Sequence, residues 1–160
     1  MSTFEIRSAT PADVPQILQF IRALADYEKL SHEVIATETM LHDGLFGSRS
    51  TAEAVLAFQA DQPAGLALFF YSFSTFTGRP SLYLEDLYVD PAFRGHGIGR
   101  ALLVHLAKIA HERGCGRFEW SVLDWNKPAI EFYESLGAKP RPGWTVYQVT
   151  GEALARLAKE

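Results

Sequence analysis

The chain has 160 residues, 48% of them hydrophobic and 21% charged, and a net charge of −4; this is enough for one domain, residues 1–160, with a core of its own. The acidic balance argues against general binding to nucleic acid or anionic membranes, and no apolar run is long enough to span a bilayer. Met1-Ser2-Thr3-Phe4-Glu5 has no basic region leading into an apolar one, and the single cysteine, Cys115, excludes an intramolecular disulfide, so a cytoplasmic location is expected.

Phe4-Glu5-Ile6-Arg7 reads as a first strand. Thr10 is placed to cap a helix with Pro11 at its first position and Asp13 in its first turn; Val14, Ile17, Leu18, Ile21 and Leu24 carry the apolar stripe toward Tyr27 and Glu28. A second helix is expected over residues 38–45. Residues 53–60 and 65–73 read as strands joined at Asp61-Gln62-Pro63, and residues 74–81 as a polar loop beside the exposed aromatics Phe73 and Phe76. Leu82-Tyr83-Leu84-Glu85-Asp86-Leu87-Tyr88-Val89 is an apolar strand that turns at Asp90-Pro91 and runs through Arg94-Gly95-His96-Gly97-Ile98-Gly99 into a helix. In that helix Ile98, Leu102, Leu106 and Ile109 keep helical spacing, and Gly114 is the stop. Phe118, Trp120 and Val122 alternate with Glu119, Ser121 and Leu123 as a strand with one apolar face. Pro128 opens a helix containing Ile130, Phe132, Tyr133 and Leu136, which Gly137 closes; residues 144–149 read as a strand and 151–159 as a terminal helix. Strands and helices alternating around one hairpin predict an α/β fold with a mixed sheet.

The glycine loop is where a phosphate-bearing ligand would bind. First-turn amides of a helix have no intrahelical acceptor, and glycines before them let a ligand reach the main chain. Gly99 is followed by Arg100-Ala101, not by the Lys-Ser/Thr of a P-loop, and Arg100 stands where a dinucleotide fingerprint starting at Gly95 needs glycine. A turn that only connects strand to helix remains the other reading.

Glu85 and Asp86 interrupt a strand that is apolar on both faces, where a carboxylate is costly unless paired or used. Strict alternation would send them to opposite faces. Either both lie wet at a strand end, or Glu85 faces a cleft and acts as general base toward an ammonium, whose pKa of about 10.4 keeps it protonated at neutral pH. Tyr133, next to Phe132, is a core tyrosine or the donor to a departing thiolate. His32, His42, His96, His105 and His111 show no ligand spacing, so no metal is expected, and no Gly-x-Ser-x-Gly elbow occurs.

Arg94 to Gly99 resembles the pyrophosphate-binding motif of the GCN5-related N-acetyltransferases. With Leu84 to Val89, Trp125-Asn126-Lys127-Pro128-Ala129-Ile130-Glu131-Phe132-Tyr133, Phe4 to Arg7 and Ala25-Asp26-Tyr27-Glu28, nearly the whole chain is similar to the diamine (spermidine/spermine) and thialysine branch of that superfamily. The resemblance implies a single-domain α/β fold with a mixed, mostly antiparallel twisted sheet splayed at a V-shaped cleft for acetyl-coenzyme A. It implies that Leu87, Tyr88 and Val89 hold the pantetheine arm through their main chain. Arg94, Gly95, His96, Gly97, Ile98, Gly99 and Arg100 would hold the pyrophosphate, and Asn126, Lys127, Pro128 and Ala129 a further part of the cofactor. Tyr133 falls on the family's proton donor, Glu85 on its proposed base, and Tyr27, Glu28 and Asp86 on its amine-binding positions. The amine would attack the thioester directly, in an enzyme that is commonly a homodimer. Arg141-Pro142-Gly143-Trp144 replaces the acidic residues expected before Gly-Trp, and the Phe73 to Pro80 loop lacks the tryptophan of that region. A short diamine or a lysine-like amino acid then fits as well as a long polyamine. A protein acetyltransferase and a non-catalytic acyl-coenzyme A sensor are the alternatives.

Overall fold

The computed structural model describes residues 3–160, so the Met1-Ser2 start of the N-terminal reading lies outside the described residues. Two compact units divide the chain, Met1–Leu123 and Asp124–Glu160.

The first unit is built on a five-stranded sheet of order β1-β2-β3-β4-β5, with β1 Phe4–Ser8, β2 Glu53–Gln59, β3 Gln62–Ser74, β4 Arg79–Val89 and β5 Arg117–Trp120. Each neighbouring pair is antiparallel except β4 with β5, which is parallel, so the sheet is mixed as the sequence predicts. Its long middle strands are apolar at successive positions because helices cover both faces. On one face α1 (Val14–Tyr27) and α2 (Glu38–Phe46) pack Ile17, Phe20 and Leu45 onto Leu56, Leu66, Leu68 and Tyr88. On the other face α3 (Ile98–Glu112) buries Ile98, Leu102 and Leu106. Gly65 is what lets α3 come close: a Cβ there would stand 2.9 Å from the Tyr88 carbonyl and 3.3 Å from Leu102 Cδ1. Cutting Leu66 or Leu102 to alanine in this fully covered sheet would cost about 2 to 5 kcal/mol.

The entry to α1 differs from the sequence expectation: Thr10 precedes a short 3₁₀ turn, Pro11–Asp13, and α1 itself starts only at Val14. Asp13 accepts from the Thr10 amide at 2.7 Å and pairs with Arg7 at 2.8 Å, tying β1 to the helix start. This holds the Asp13 carboxyl down at about 2, chiefly through the Arg7 hydrogen bond. Both hairpins are tighter than expected. Ala60 and Asp61 form a two-residue turn at φ 50° and 62°, and Gln62 and Pro63 already belong to β3, paired with Gln59 and Phe58. Likewise Arg79 to Ser81 pair with Ser74 to Ser72, so the expected 74–81 loop shrinks to residues 75–78. The strand expected through Leu123 stops at Trp120, and its residues are all half-buried rather than divided between an apolar and a polar face.

The second unit carries α4 (Lys127–Ser135) and the short α5 (Gly151–Leu157). Residues 144–149 form no strand, contrary to their alternating pattern, and Trp144, Val146 and Tyr147 are exposed. Strand formation needs a backbone partner, and alternation by itself supplies none.

Candidate functional site

Where β4 ends, the chain makes a short turn and starts α3. Asp90 caps that turn by accepting from the Ala92 amide at 2.9 Å. The Arg94 side chain folds back to donate from Nε to the Val89 carbonyl at 3.0 Å, with its guanidinium 5.7 Å from the centre of the Tyr27 ring. Gly95 and Gly97 adopt φ +83° and +81°, a region that costs other residues about 1 to 2 kcal/mol, so both glycines are required by the path of the chain. The Arg94 amide closes back on the Pro91 carbonyl and the Ala101 amide on that of Gly97. Between them lie first-turn amides that have no intrahelical acceptor. The first turn of α3 holds no acidic residue, while Arg94 and Arg100 flank the glycines. A diphosphate fits this set of donors. Ile98 is buried beneath the loop and can offer a ligand only its amide; His96 leans toward Gln59, Nδ1 to Oε1 3.3 Å.

The strand leading into the loop has a free edge. β5 pairs with β4 only from Ser81 to Leu84, so residues 86–89 are paired with β3 on one side and, among the described residues, with no strand on the other. Main-chain donors and acceptors on that edge can take an extended ligand as an added strand would. Tyr88 itself is core, its ring 5.3 Å from that of Phe20, which leaves its main chain as the ligand-facing part.

At the point where β5 leaves, β4 bulges. Leu68 pairs with Asp86 and the next residue, Phe69, with Leu84, so Glu85 is an extra residue in the ladder. Such a bulge breaks the alternation of faces. This corrects the expectation that Glu85 and Asp86 point to opposite faces: both line one cavity of about 420 Å³, together with Glu28 and Glu33 and with apolar side chains of α1 and of residues 30–36. Burial, helped by the charges of Glu85 and Glu28, pushes the Asp86 carboxyl up to about 6. Burial also raises Glu28. Among the described residues no three or more histidine, cysteine or acidic side chains stand close enough to hold one metal ion. The cavity suits an organic cation with an apolar body.

Glu33 did not emerge from the sequence reading. It sits in the short 3₁₀ turn Ser31–Glu33, with no motif around it, and only the fold brings that turn to β4. Tyr27 takes a different place from the other expected amine-binding residues, standing over Arg94 of the glycine loop. In the second unit, buried Asn126 caps α4, its Oδ1 accepting from the Ala129 amide at 3.4 Å, and Pro128 occupies the first turn. Lys127 lies exposed, 3.9 Å from Glu131. Tyr133 is half-buried two turns beyond Asn126 on the same side of the helix, its ring 5.6 Å from that of Phe132.

Known proteins bear on this arrangement. The model of the Acetyltransferase (GNAT) family matches residues 18–138. Thialysine N-epsilon-acetyltransferase of Sus scrofa is 38% identical over 169 residues, covering 99% of both chains. The enzyme of the same name from Caenorhabditis elegans is 36% identical over 163 residues, covering 100% of both. Among solved structures, an integron cassette protein from the mobile metagenome of V. cholerae superposes with a TM-score of 0.82 at 29% identity, over 100% of this chain and 99% of that one. A glycine loop at a helix start, a strand with one free edge and a sequence matched across both compact units lead to one assignment: the chain belongs to the GNAT family and is an acetyltransferase.

Proposed function

We propose that this acetyltransferase moves the acetyl group of acetyl-coenzyme A to a primary amine of a small diamine, polyamine or lysine-like substrate by direct attack within a ternary complex. The observation that carries this reading is the acidic cavity at the β4 bulge, set on the strand that runs into the glycine loop. Similarity to thialysine acetyltransferases supports it.

Acetyl-coenzyme A supplies the acetyl group as a thioester. The amides from Gly95 to Arg100 bind its diphosphate, with Arg94 and Arg100 adding positive charge, and the free edge at Leu87, Tyr88 and Val89 aligns the pantetheine arm. The family resemblance assigns a further part of the cofactor to Asn126, Lys127, Pro128 and Ala129 of the second unit. Asp86 and Glu28 bind the ammonium, with Tyr27 at the same end of α1. Glu85 accepts the proton that the amine must lose before it can attack, directly or through one water. Tyr133 Oη hydrogen-bonds to the departing sulfur or protonates it; its ordinary pKa of about 10 against a thiol's 8.5 makes the hydrogen bond the larger contribution. Holding both reactants in line supplies much of the rate. The enzyme works as a cytoplasmic homodimer.

The test is release of coenzyme A from acetyl-coenzyme A in the presence of a panel of small amines, beside a thermal-shift titration with coenzyme A. Turnover of at least one diamine or lysine analogue is expected. A thermal shift without turnover of any amine would leave an acyl-coenzyme A sensor, and turnover of peptide amines alone would make it a protein acetyltransferase.

A further inference from the structure

We propose that Glu33 is a specificity-determining residue that reads the far ammonium of the substrate, so that the cavity takes amines with two cationic ends and no carboxylate in preference to lysine-like amino acids. This rests on the amine-acetylating function proposed above and narrows its substrate class.

Three features of the cavity carry the inference. First, four carboxylates line it, and neither a lysine nor an arginine is among its lining residues. An α-carboxylate entering with the substrate would therefore meet like charge among the lining side chains. Second, the carboxylates are spread over separate elements. Glu85 and Asp86 are on β4, Glu28 is the residue after α1, and Glu33 ends the next 3₁₀ turn. Apolar Ile21, Leu24 and Leu30 lie among them. Charge, apolar lining and charge again is the complement of a chain of methylenes with an amine at each end. Third, the carboxylates differ in burial. Asp86 and Glu28 are half-buried, where an ammonium would be desolvated, whereas the Glu33 side chain is 69% exposed. The buried pair suits the reacting end, and Glu33 suits a second ammonium that stays partly hydrated. Its ionisable neighbour, the exposed His32, has Nε2 3.7 Å from Glu33 Oε1, a pair that an arriving ammonium can replace.

The reaction can be read on three acceptors of matched length: 1,5-diaminopentane, pentylamine, which lacks the second amine, and lysine, which is the diamine with a carboxylate added. Wild-type enzyme should prefer the diamine over both others in kcat/KM. Glu33→Gln should raise KM for the diamine about threefold to fivefold, the range of an exposed ion pair, leaving its kcat unchanged. KM for pentylamine should not move, that for lysine should stay or fall, and Glu33→Asp should restore part of the diamine preference. Equal changes on all three acceptors, no change on any, or a wild-type preference for lysine would overturn the assignment of Glu33 while amine acetylation stands. Failure of the wild-type enzyme to acetylate these three or any amine of the wider panel, with coenzyme A still binding, would overturn the amine-acetylating function itself.

Discussion

The two halves of the site, both in the first compact unit, are built from opposite materials. The glycine loop offers main-chain amides and is positive, flanked by Arg94 and Arg100 and free of acidic residues in the first turn of α3. The cavity at the bulge offers side chains and is negative, lined by Glu28, Glu33, Glu85 and Asp86. One strand, β4, connects them. A main-chain site depends on backbone conformation and tolerates few substitutions at its glycines, yet it is indifferent to most side chains around it. A side-chain site has the reverse character: its charges can be exchanged one at a time, each changing substrate preference or pH response without dismantling the fold. On the proposed reading the enzyme thus keeps a general donor site beside an adjustable acceptor site.

The largest effect is expected from Tyr133, which belongs to neither half. Tyr133→Phe should lower kcat by about a hundredfold with little change in either KM; unchanged kcat would mean the two halves suffice for the chemistry. Next comes the main-chain half. Gly97→Val forces a branched side chain into φ +81° and should raise KM for acetyl-coenzyme A by more than about tenfold, leaving amine KM within about twofold. Equal loss for both substrates would show that the loop shapes the acceptor site as well.

Asp86→Asn tests the side-chain half and should raise KM for the amine by about tenfold. It also has a pH signature. The Asp86 carboxyl titrates at about 6 in the folded protein against an ordinary 3.8, with Glu85 and Glu28 facing it. The folded state therefore holds its proton more tightly than the unfolded chain between those values. Stability falls as pH rises through that window, and above it the ionised carboxylate costs on the order of 3 kcal/mol. Asp86→Asn should accordingly raise Tm by about 9 °C at pH 7.5 and leave it unchanged at pH 3.5. An equal shift at both pH values would show that the charge is not the cause. The smallest effect on activity should come from Asp13→Asn, outside both halves. It should lower stability by about 1 kcal/mol at pH 7 with unchanged kinetics. Here the folded value is lowered, to about 2, so the stabilisation is complete above about 4 and is lost as pH falls through 2; urea unfolding at pH 7 and pH 2 measures the difference.

The contrast between the two halves also explains what could be seen in advance. The glycine loop was visible in one short stretch, because strand, glycines and amphipathic helix are consecutive and each obeys a local rule. Glu85 stood out for the same reason, as a charge in an apolar strand. That it shares a cavity with Asp86 was not visible, since the face a strand residue takes depends on the ladder, and one extra residue opposite Leu68 changes it. Glu33 gave no local signal at all. Residues 144–149 gave a false one: they alternate as a strand should, but no strand pairs with them among the described residues.

The order of these residues alone determined the helices, the middle strands, the glycine loop and the family, since periodicity and left-handed glycines are set by near neighbours. Tertiary structure alone decided the bulge, the free edge of β4 and the meeting of the four carboxylates. Those follow from where strands stop pairing and from contacts between segments far apart along the chain, and no local pattern encodes them.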